Sequence, residues 1–304
     1  MAIPPSGEQF KISWNEHRAT VVEVGGGIRE YFAGDRPVLD PYPIDALCDG
    51  AHGAPLIPWP NRLADGRYRF DEVDYQVALT EPEKHNAIHG LLHWRPWSVR
   101  SHQQAQVTMG VRLNPLPGYP FLLDVQVEYA LSDDGLKVST TATNLSADPC
   151  PYGAGQHPYL SAGAGLLDEC RLELAAETRI VTDTERQLPV GTESVGGTRY
   201  DFRTGKSLRG IKVDYAFTGL TRDLSGRAWA RLTGADGRRA ELWVDDTYPI
   251  IEIYTGDTLA PHRRRRGLGA EPMTCPPNAF QNDDGVIRLE PGQAVTTVWG
   301  ALLT

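Results

Sequence analysis

Basic charge is in short supply in this chain of 304 residues, and the shortage excludes two classes of partner. The 30 lysines and arginines stand against 39 aspartates and glutamates, which gives a formal net charge of −9. Proteins that bind nucleic acid or an anionic membrane surface need a basic face. No apolar run approaches the length of a membrane span, and the N-terminal segment lacks the pattern of a signal peptide. We therefore expect a cytoplasmic protein that binds a small molecule.

Cysteine and helical periodicity are also scarce. None of the four cysteines belongs to a Cys-x-x-Cys pair, so the common zinc and thioredoxin-type motifs are excluded and ordinary reduced thiols are expected. Apolar residues rarely recur with the 3.6-residue period of an amphipathic helix, which disfavours a doubly wound α/β fold. The four cysteines are Cys48, Cys150, Cys170 and Cys275.

Apolar residues instead alternate with polar ones, as in half-buried strands. Together with 31 glycines and 23 prolines, this pattern predicts many short strands joined by turns. Five Asp-Gly pairs, ending at Gly50, Gly66, Gly135, Gly237 and Gly285, mark expected tight turns. We predict an all-β fold, a large antiparallel β-sandwich that spans residues 1–304 as one domain. The predicted strands are 68–70, 75–79, 107–113, 125–131, 136–142, 170–174, 240–244, 250–254, 286–289 and 294–299.

Three side chains in turn-like settings suggest acid/base chemistry. His89 lies in the segment NAIHG, His157 in GQHPYL and Glu271 in GAEP. A histidine exchanges a proton near neutral pH, and a carboxylate accepts one if its surroundings raise its basicity. A pocket that contained such a pair could transfer protons without a metal or a redox group.

His85, His89 and His93 recur every four residues, a spacing that on a helix would place three imidazoles on one face. A metal site of this kind is disfavoured, because Gly90 interrupts the stretch and Pro96 follows closely. We expect His85 and His93 in a loop or at a strand edge.

Several motifs in one order resemble the aldose 1-epimerase (galactose mutarotase) family over nearly the whole chain. The resemblance implies a large β-sandwich that interconverts the α and β anomers of an aldose without a cofactor. We expect a monomer or a homodimer, which the sequence does not distinguish. The amino-acid sequences of the motifs are most similar to those of a bacterial branch that includes sulfosugar mutarotases. The motifs are NR at 61–62, NAIHG at 86–90, GQHPYL at 155–160, DYAF at 214–217, YTG at 254–256 and AEPMTCPPNAF at 270–280.

The resemblance also implies roles for single residues. His157 would be the general acid and Glu271 the general base, while His89 would hydrogen-bond the oxygens that change charge. Arg62 and Asp214, with Asn61 beside Arg62 in sequence, would hold sugar hydroxyls. The arginine offers only hydrogen-bond donors and the aspartate only acceptors.

Two aromatic residues near these motifs, Trp59 and Tyr159, are candidates to pack against the sugar ring, although most aromatic side chains belong to cores. The run of four arginines at 263–266 is expected to form a solvated loop. Its closeness to Glu271 leaves open a contact with an anionic sugar.

Each of these residues also has an ordinary structural interpretation. Taken alone, His157 would be a turn histidine, Glu271 an exposed loop carboxylate, Arg62 a surface cation and Asp214 a turn acceptor. The motifs in register favour the enzyme. A catalytically silent sugar-binding protein remains an alternative, as does a polysaccharide lyase or hydrolase on a related sandwich. The sequence does not identify the sugar.

Overall fold

Two large antiparallel sheets pack face to face in the computed structural model, which describes residues 3–163 and 165–304. One continuous apolar core lies between them and includes Val127 from one sheet and Ile253 from the other. The predicted antiparallel β-sandwich is therefore confirmed. None of the helices in the described ranges is long and apolar enough to cross a membrane.

The described strands, in chain order, are β1 (Gln9–Trp14), β2 (His17–Val22), β3 (Ile28–Ala33), β4 (Arg36–Leu39), β5 (Pro55–Leu56), β6 (Arg62–Ala64), β7 (Arg67–Phe70), β8 (Val73–Gln76), β9 (Asn86–Ile88), β10 (Ser98–His102), β11 (Gln106–Leu113), β12 (Leu123–Ser132), β13 (Gly135–Asn144), β14 (Cys150–Tyr152), β15 (Gly155–Gln156), β16 (Tyr159–Ser161), β17 (Arg171–Leu174), β18 (Ala176–Thr182), β19 (Pro189–Ser194), β20 (Lys206–Ser207), β21 (Asp214–Leu220), β22 (Ala228–Thr233), β23 (Arg239–Val244), β24 (Ile250–Tyr254), β25 (Gly267–Met273), β26 (Ile287–Leu289) and β27 (Ala294–Leu303). The helical segments are α1 (Ala279–Asn282) and two 3₁₀ turns, Pro82–Lys84 and Leu167–Glu169.

The first sheet has twelve strands, in the order β1-β2-β3-β4-β16-β25-β24-β21-β18-β19, with β15 pairing to β25 and β5 pairing to β15. The second has nine, in the order β10-β11-β12-β13-β27-β23-β22-β17-β20. Three small pairs complete the described strands: β6 with β9, β7 with β8, and β14 with β26.

Local signals in the sequence account for much of this architecture. Residues Val125, Val127, Tyr129 and Leu131 alternate inward along β12, as their period of two predicts. All five glycines of the Asp-Gly pairs have positive φ, as tight turns require. The strand predicted at 75–79 is observed at Val73–Gln76, so it begins two residues and ends three residues earlier than predicted.

The strands that carry the later motifs bury one face in the core and turn the other outward. In β25, Leu268 and Ala270 join the core, whereas Glu271 on the opposite face borders a cavity. In β24, Ile253 likewise joins the core and the next residue, Tyr254, borders the cavity. The outer face of the twelve-stranded sheet therefore forms the floor of a site.

The small β6–β9 pair builds one wall above this floor. Asn61 and His89 both adopt left-handed backbone conformations, with φ of 55° and 63°. The amide of His89 donates to the carbonyl of Asn61 at 2.9 Å, which ties the two loops together. Gly90 follows with φ of 71°, and a Cβ there would lie 2.1 Å from the carbonyl oxygen of Ile57, so only glycine fits.

Candidate active site

A cavity of about 580 Å³ opens on the outer face of the twelve-stranded sheet. Its size is within the usual range for small-molecule sites. Residues far apart in the chain meet there because β16, β21, β24 and β25 are neighbours in the sheet. Seven of the eight predicted site residues line it: Asn61, Arg62, His89, His157, Tyr159, Asp214 and Glu271.

His157 and Glu271 contact each other at the edge of this cavity. The Nε2 of His157 lies 3.2 Å from Oε1 of Glu271, and the two residues are 5% and 2% exposed. Burial lowers the pKa of His157 to about 3 and raises the pKa of Glu271 well above its usual value. Both shifts favour the uncharged forms.

An imidazolium beside a carboxylate contains the same number of protons as a neutral imidazole beside a carboxylic acid. The two forms differ only in which partner holds the proton. The pair is therefore a buried His/Glu couple that can hold one proton in either a charged or an uncharged form.

Aromatic rings fix the orientation of His157. Tyr159 stacks on it at a centroid distance of 4.9 Å and an interplanar angle of 15°, and the hydroxyl of Tyr159 donates to the carbonyl of Gly50. His89 meets the same ring edge to face at 5.3 Å. Burial and the nearby His157 lower the pKa of His89 well below its usual value. A neutral His89 can donate or accept a hydrogen bond at the cavity.

Arg62 is oriented by a carboxylate that the sequence analysis did not single out. Its Nε and one terminal nitrogen donate to the two carboxylate oxygens of Glu81, at 2.8 and 2.9 Å. Burial opposes the charge of Glu81, but hydrogen bonds from Arg62 and Asn86 outweigh that effect and lower its pKa to about 2. The guanidinium is held in one plane and keeps its charge.

Asp214 is the first residue of β21 and also lines the cavity. Burial raises the pKa of this carboxyl above its usual value, although the charge of Arg62 and a hydrogen bond from Gln187 act in the opposite direction. A carboxylate that accepts from Gln187 still has lone pairs for a ligand hydroxyl.

A second buried glutamate, which the sequence analysis missed, lies beside Glu271. Glu252 pairs directly with Glu271 across β24 and β25, and it is only 3% exposed. Burial, followed by the charges of Asp214 and Glu271, raises the pKa of Glu252 well above its usual value. A carboxylate in the middle of the otherwise apolar segment IIEIY was the signal that could have identified it.

Trp59, which was predicted to pack against the sugar ring, lies in the core instead. It is 2% exposed, packs against Phe280 at a centroid distance of 5.7 Å and is not among the described residues that line the cavity. Tyr254 and the half-exposed Trp94 are the aromatic residues that border the cavity together with Tyr159.

The prediction that the four arginines at 263–266 form a solvated loop is only partly correct. Arg263 is buried, donating to Asp40 at 2.9 Å and to the carbonyl of Pro41 at 2.8 Å. Arg265 is nearly buried and pairs with Asp168 at 2.7 Å. The loop is therefore not solvated throughout: alternate arginines turn inward to acidic partners, and Arg264 and Arg266 stay exposed. None of the four is among the described residues that line the cavity.

The three histidines at four-residue spacing do not share a helix. His85 is exposed at the left-handed end of a 3₁₀ turn, and β9 follows it directly. His89 and His93 both border the cavity from the loop after β9. Within residues 3–163 and 165–304, no group of His, Cys, Asp and Glu side chains is arranged to hold a metal ion.

Comparison with known proteins shows which family has this sequence and fold. The family model of aldose 1-epimerase matches residues 9–299. The chain belongs to the aldose 1-epimerase family. An uncharacterised protein of Escherichia coli K12, YihR, is 33% identical over 290 residues, which cover 95% of this chain and 91% of YihR. The aldose 1-epimerase of the same bacterium is 27% identical over 273 residues, covering 81% of this chain and 78% of that protein.

Solved structures of aldose 1-epimerase relatives share the fold. A homologue from Caenorhabditis elegans superposes with a TM-score of 0.86 at 21% identity, over 98% of each chain. Galactose 1-epimerase from Lactobacillus acidophilus superposes with a TM-score of 0.79 at 17% identity, over 97% of this chain and 93% of that one. At these identities the likeness establishes the fold, while the family assignment identifies an isomerase that acts on sugars.

Proposed function

We propose that this protein interconverts the α and β anomers of an aldose by general acid/base catalysis, with Glu271 as base and His157 as acid. The observation that supports the assignment is the contact between these two buried groups inside a cavity large enough for a sugar. Ring opening removes one proton from the C1 hydroxyl, adds one to the ring oxygen and changes no oxidation state. A pair in which one group accepts a proton and the other donates one suits this reaction.

Ring opening uses the charged form of the couple. Glu271 takes the proton of the C1 hydroxyl while His157 gives its proton to the ring oxygen, and the bond between C1 and that oxygen breaks as the C1 carbonyl forms. The couple is then a carboxylic acid beside a neutral imidazole, the form that burial favours. Rotation about the C1–C2 bond and closure with the proton transfers reversed produce the other anomer and restore the starting form.

The remaining cavity residues would set the pose of the sugar. Arg62 and Asp214 offer a fixed donor fork and an acceptor on different strands. His89 borders the cavity next to His157, where it can hydrogen-bond an oxygen that gains charge as the ring opens. Asn61 and Tyr159 line the same space.

Polarimetry on a freshly dissolved single anomer tests the activity, and NMR exchange across neutral, phosphorylated and sulfonated aldoses identifies the sugar. Acceleration over the spontaneous rate supports the mutarotase. Binding of a sugar with no acceleration of anomerisation would show a silent sugar-binding protein instead. Release of new reducing ends from an oligosaccharide would indicate a lyase or a hydrolase.

A further inference from the structure

Five side chains that border the cavity form one continuous chain of hydrogen bonds. Gln187 donates from Nε2 to Asp214 at 2.5 Å, and the ammonium of Lys84 donates to the side-chain amide oxygen Oε1 of Gln187. Lys84 also donates to Glu81 at 3.0 Å, and Glu81 holds Arg62 through two bonds. The chain therefore joins the two residues assigned to sugar hydroxyls, with Lys84 at its centre and Gln187 next to Asp214.

The backbone presents Gln187 in a fixed position. The residue has φ of 55° in the loop between β18 and β19, where the carboxylate of Asp183 accepts from the amides of Arg186 and Leu188. Arg186 then donates to the carbonyl of Lys84 at 2.9 Å, which ties this loop to the 3₁₀ turn at Pro82–Lys84. A side chain held this way loses little conformational entropy when a ligand binds.

Gln187 also has hydrogen-bonding capacity left. A primary amide offers two N–H donors and an oxygen with two lone pairs. Asp214 takes one donor, and Lys84 occupies one lone pair. One donor and one acceptor remain on a side chain that borders the cavity. An alcohol group, which donates and accepts at once, complements such an amide.

We propose that Gln187 determines which sugar this enzyme accepts, by hydrogen-bonding a hydroxyl of the ring beside the one that Asp214 binds. This inference rests on the proposed mutarotase function. The sugar would bind with its C1 end at His157 and Glu271 and present that hydroxyl to the amide of Gln187. The configuration at the hydroxyl-bearing carbon would then be selected by a wall of the cavity that takes no part in proton transfer.

The test is a comparison of KM and kcat for the wild type and Gln187→Leu on an accepted aldose and on its monodeoxy analogues. Leucine preserves the bulk, whereas alanine would open the cavity toward a neighbouring groove that Gln187 also borders. We expect KM for the parent sugar to rise about 10-fold, because the partners of a lost hydrogen bond stay unsatisfied, and kcat to change by less than about threefold. For one deoxy analogue, the wild type and the variant should have equal KM.

The control is Gln126→Leu, which removes a similar bond from glutamine to Asp124 on the exposed face of β12 and should leave all constants unchanged. If Gln187→Leu does not fold, Gln187→Glu removes the donor at the same size and should raise KM for the parent sugar in the same way. An unchanged KM for the parent sugar overturns the inference, and so does an equal rise for every deoxy analogue, since a merely structural role affects all sugars alike. Absence of anomerisation by the wild type would instead refute the proposed function.

Discussion

The two ends of the cavity treat charge in opposite ways. At the proton-transfer end, burial moves the pKa values of His157 and Glu271 toward their uncharged forms. At the orienting wall, the ion pair of Arg62 with Glu81 outweighs burial, lowering the pKa of the acid and raising that of the base. Groups that transfer protons must be able to exist uncharged, whereas groups that orient a ligand need charges that stay fixed.

Replacement of the proton-transfer groups should have the largest effect. Glu271→Gln removes the proton acceptor and His157→Asn removes the proton donor, while both preserve approximate shape, so kcat should fall by about 10²–10⁴-fold. KM should change much less. Polarimetry with the folded variants measures both constants, and wild-type turnover in either variant would contradict the assigned roles.

The pH profile should reveal the couple directly. With the pKa of His157 lowered to about 3 and that of Glu271 raised, the single-proton form of the couple prevails between the two values. We expect a plateau of kcat/KM through neutral pH, an acid limb below the usual range of histidine, and an alkaline limb above the usual range of glutamate. Glu271→Gln should remove the alkaline limb from any residual activity, and a limb that persists there must arise from another group.

Arg62→Ala should act on the other end of the cavity. The loss of a fixed donor fork should raise KM by roughly 10-fold to 100-fold and lower kcat less, since a charged hydrogen bond is lost while the acid/base couple remains. Saturation kinetics by NMR exchange separate the two constants. An exposed arginine, in Arg264→Ala, is the matched control and should leave both unchanged. A fall in kcat with no change in KM would contradict the assignment of Arg62 to orientation of the sugar.

Glu252→Gln should have the smallest effect on turnover among these variants, and an effect on stability that grows with pH. The folded-state pKa of Glu252 is raised, so its contribution to stability is full below the pKa of the unfolded chain and is lost as pH rises toward the folded value. The amide cannot ionise, so the variant should gain stability over the wild type by up to about 1.4 kcal/mol per pH unit in that window. Thermal unfolding from pH 5 to pH 8, run in parallel on both proteins, measures this difference. A constant difference in Tm would mean that Glu252 is ionised in the folded protein.

The sequence identified those site residues that lie within recognisable motifs. His157, Glu271 and Asp214 lie in motifs whose order and spacing resemble a family, and the structure brings them to one cavity. Glu252 and Gln187 were missed because each is a single polar residue in a segment that predicts only a strand or a loop. Trp59 was misplaced because nearness in sequence to Arg62 says nothing about the direction of its ring.

By itself, the sequence determined the class of fold and the location of several strands, because alternation of apolar residues and Asp-Gly turns are local properties of the chain. It also determined which groups could exchange a proton. Only the tertiary structure decided that Glu252 lies opposite Glu271, that Glu81 holds Arg62, and that Gln187 reaches Asp214. Those contacts depend on strand order and register between segments far apart in the chain, which no local pattern encodes, and burial there sets the pKa values on which the proposed chemistry depends.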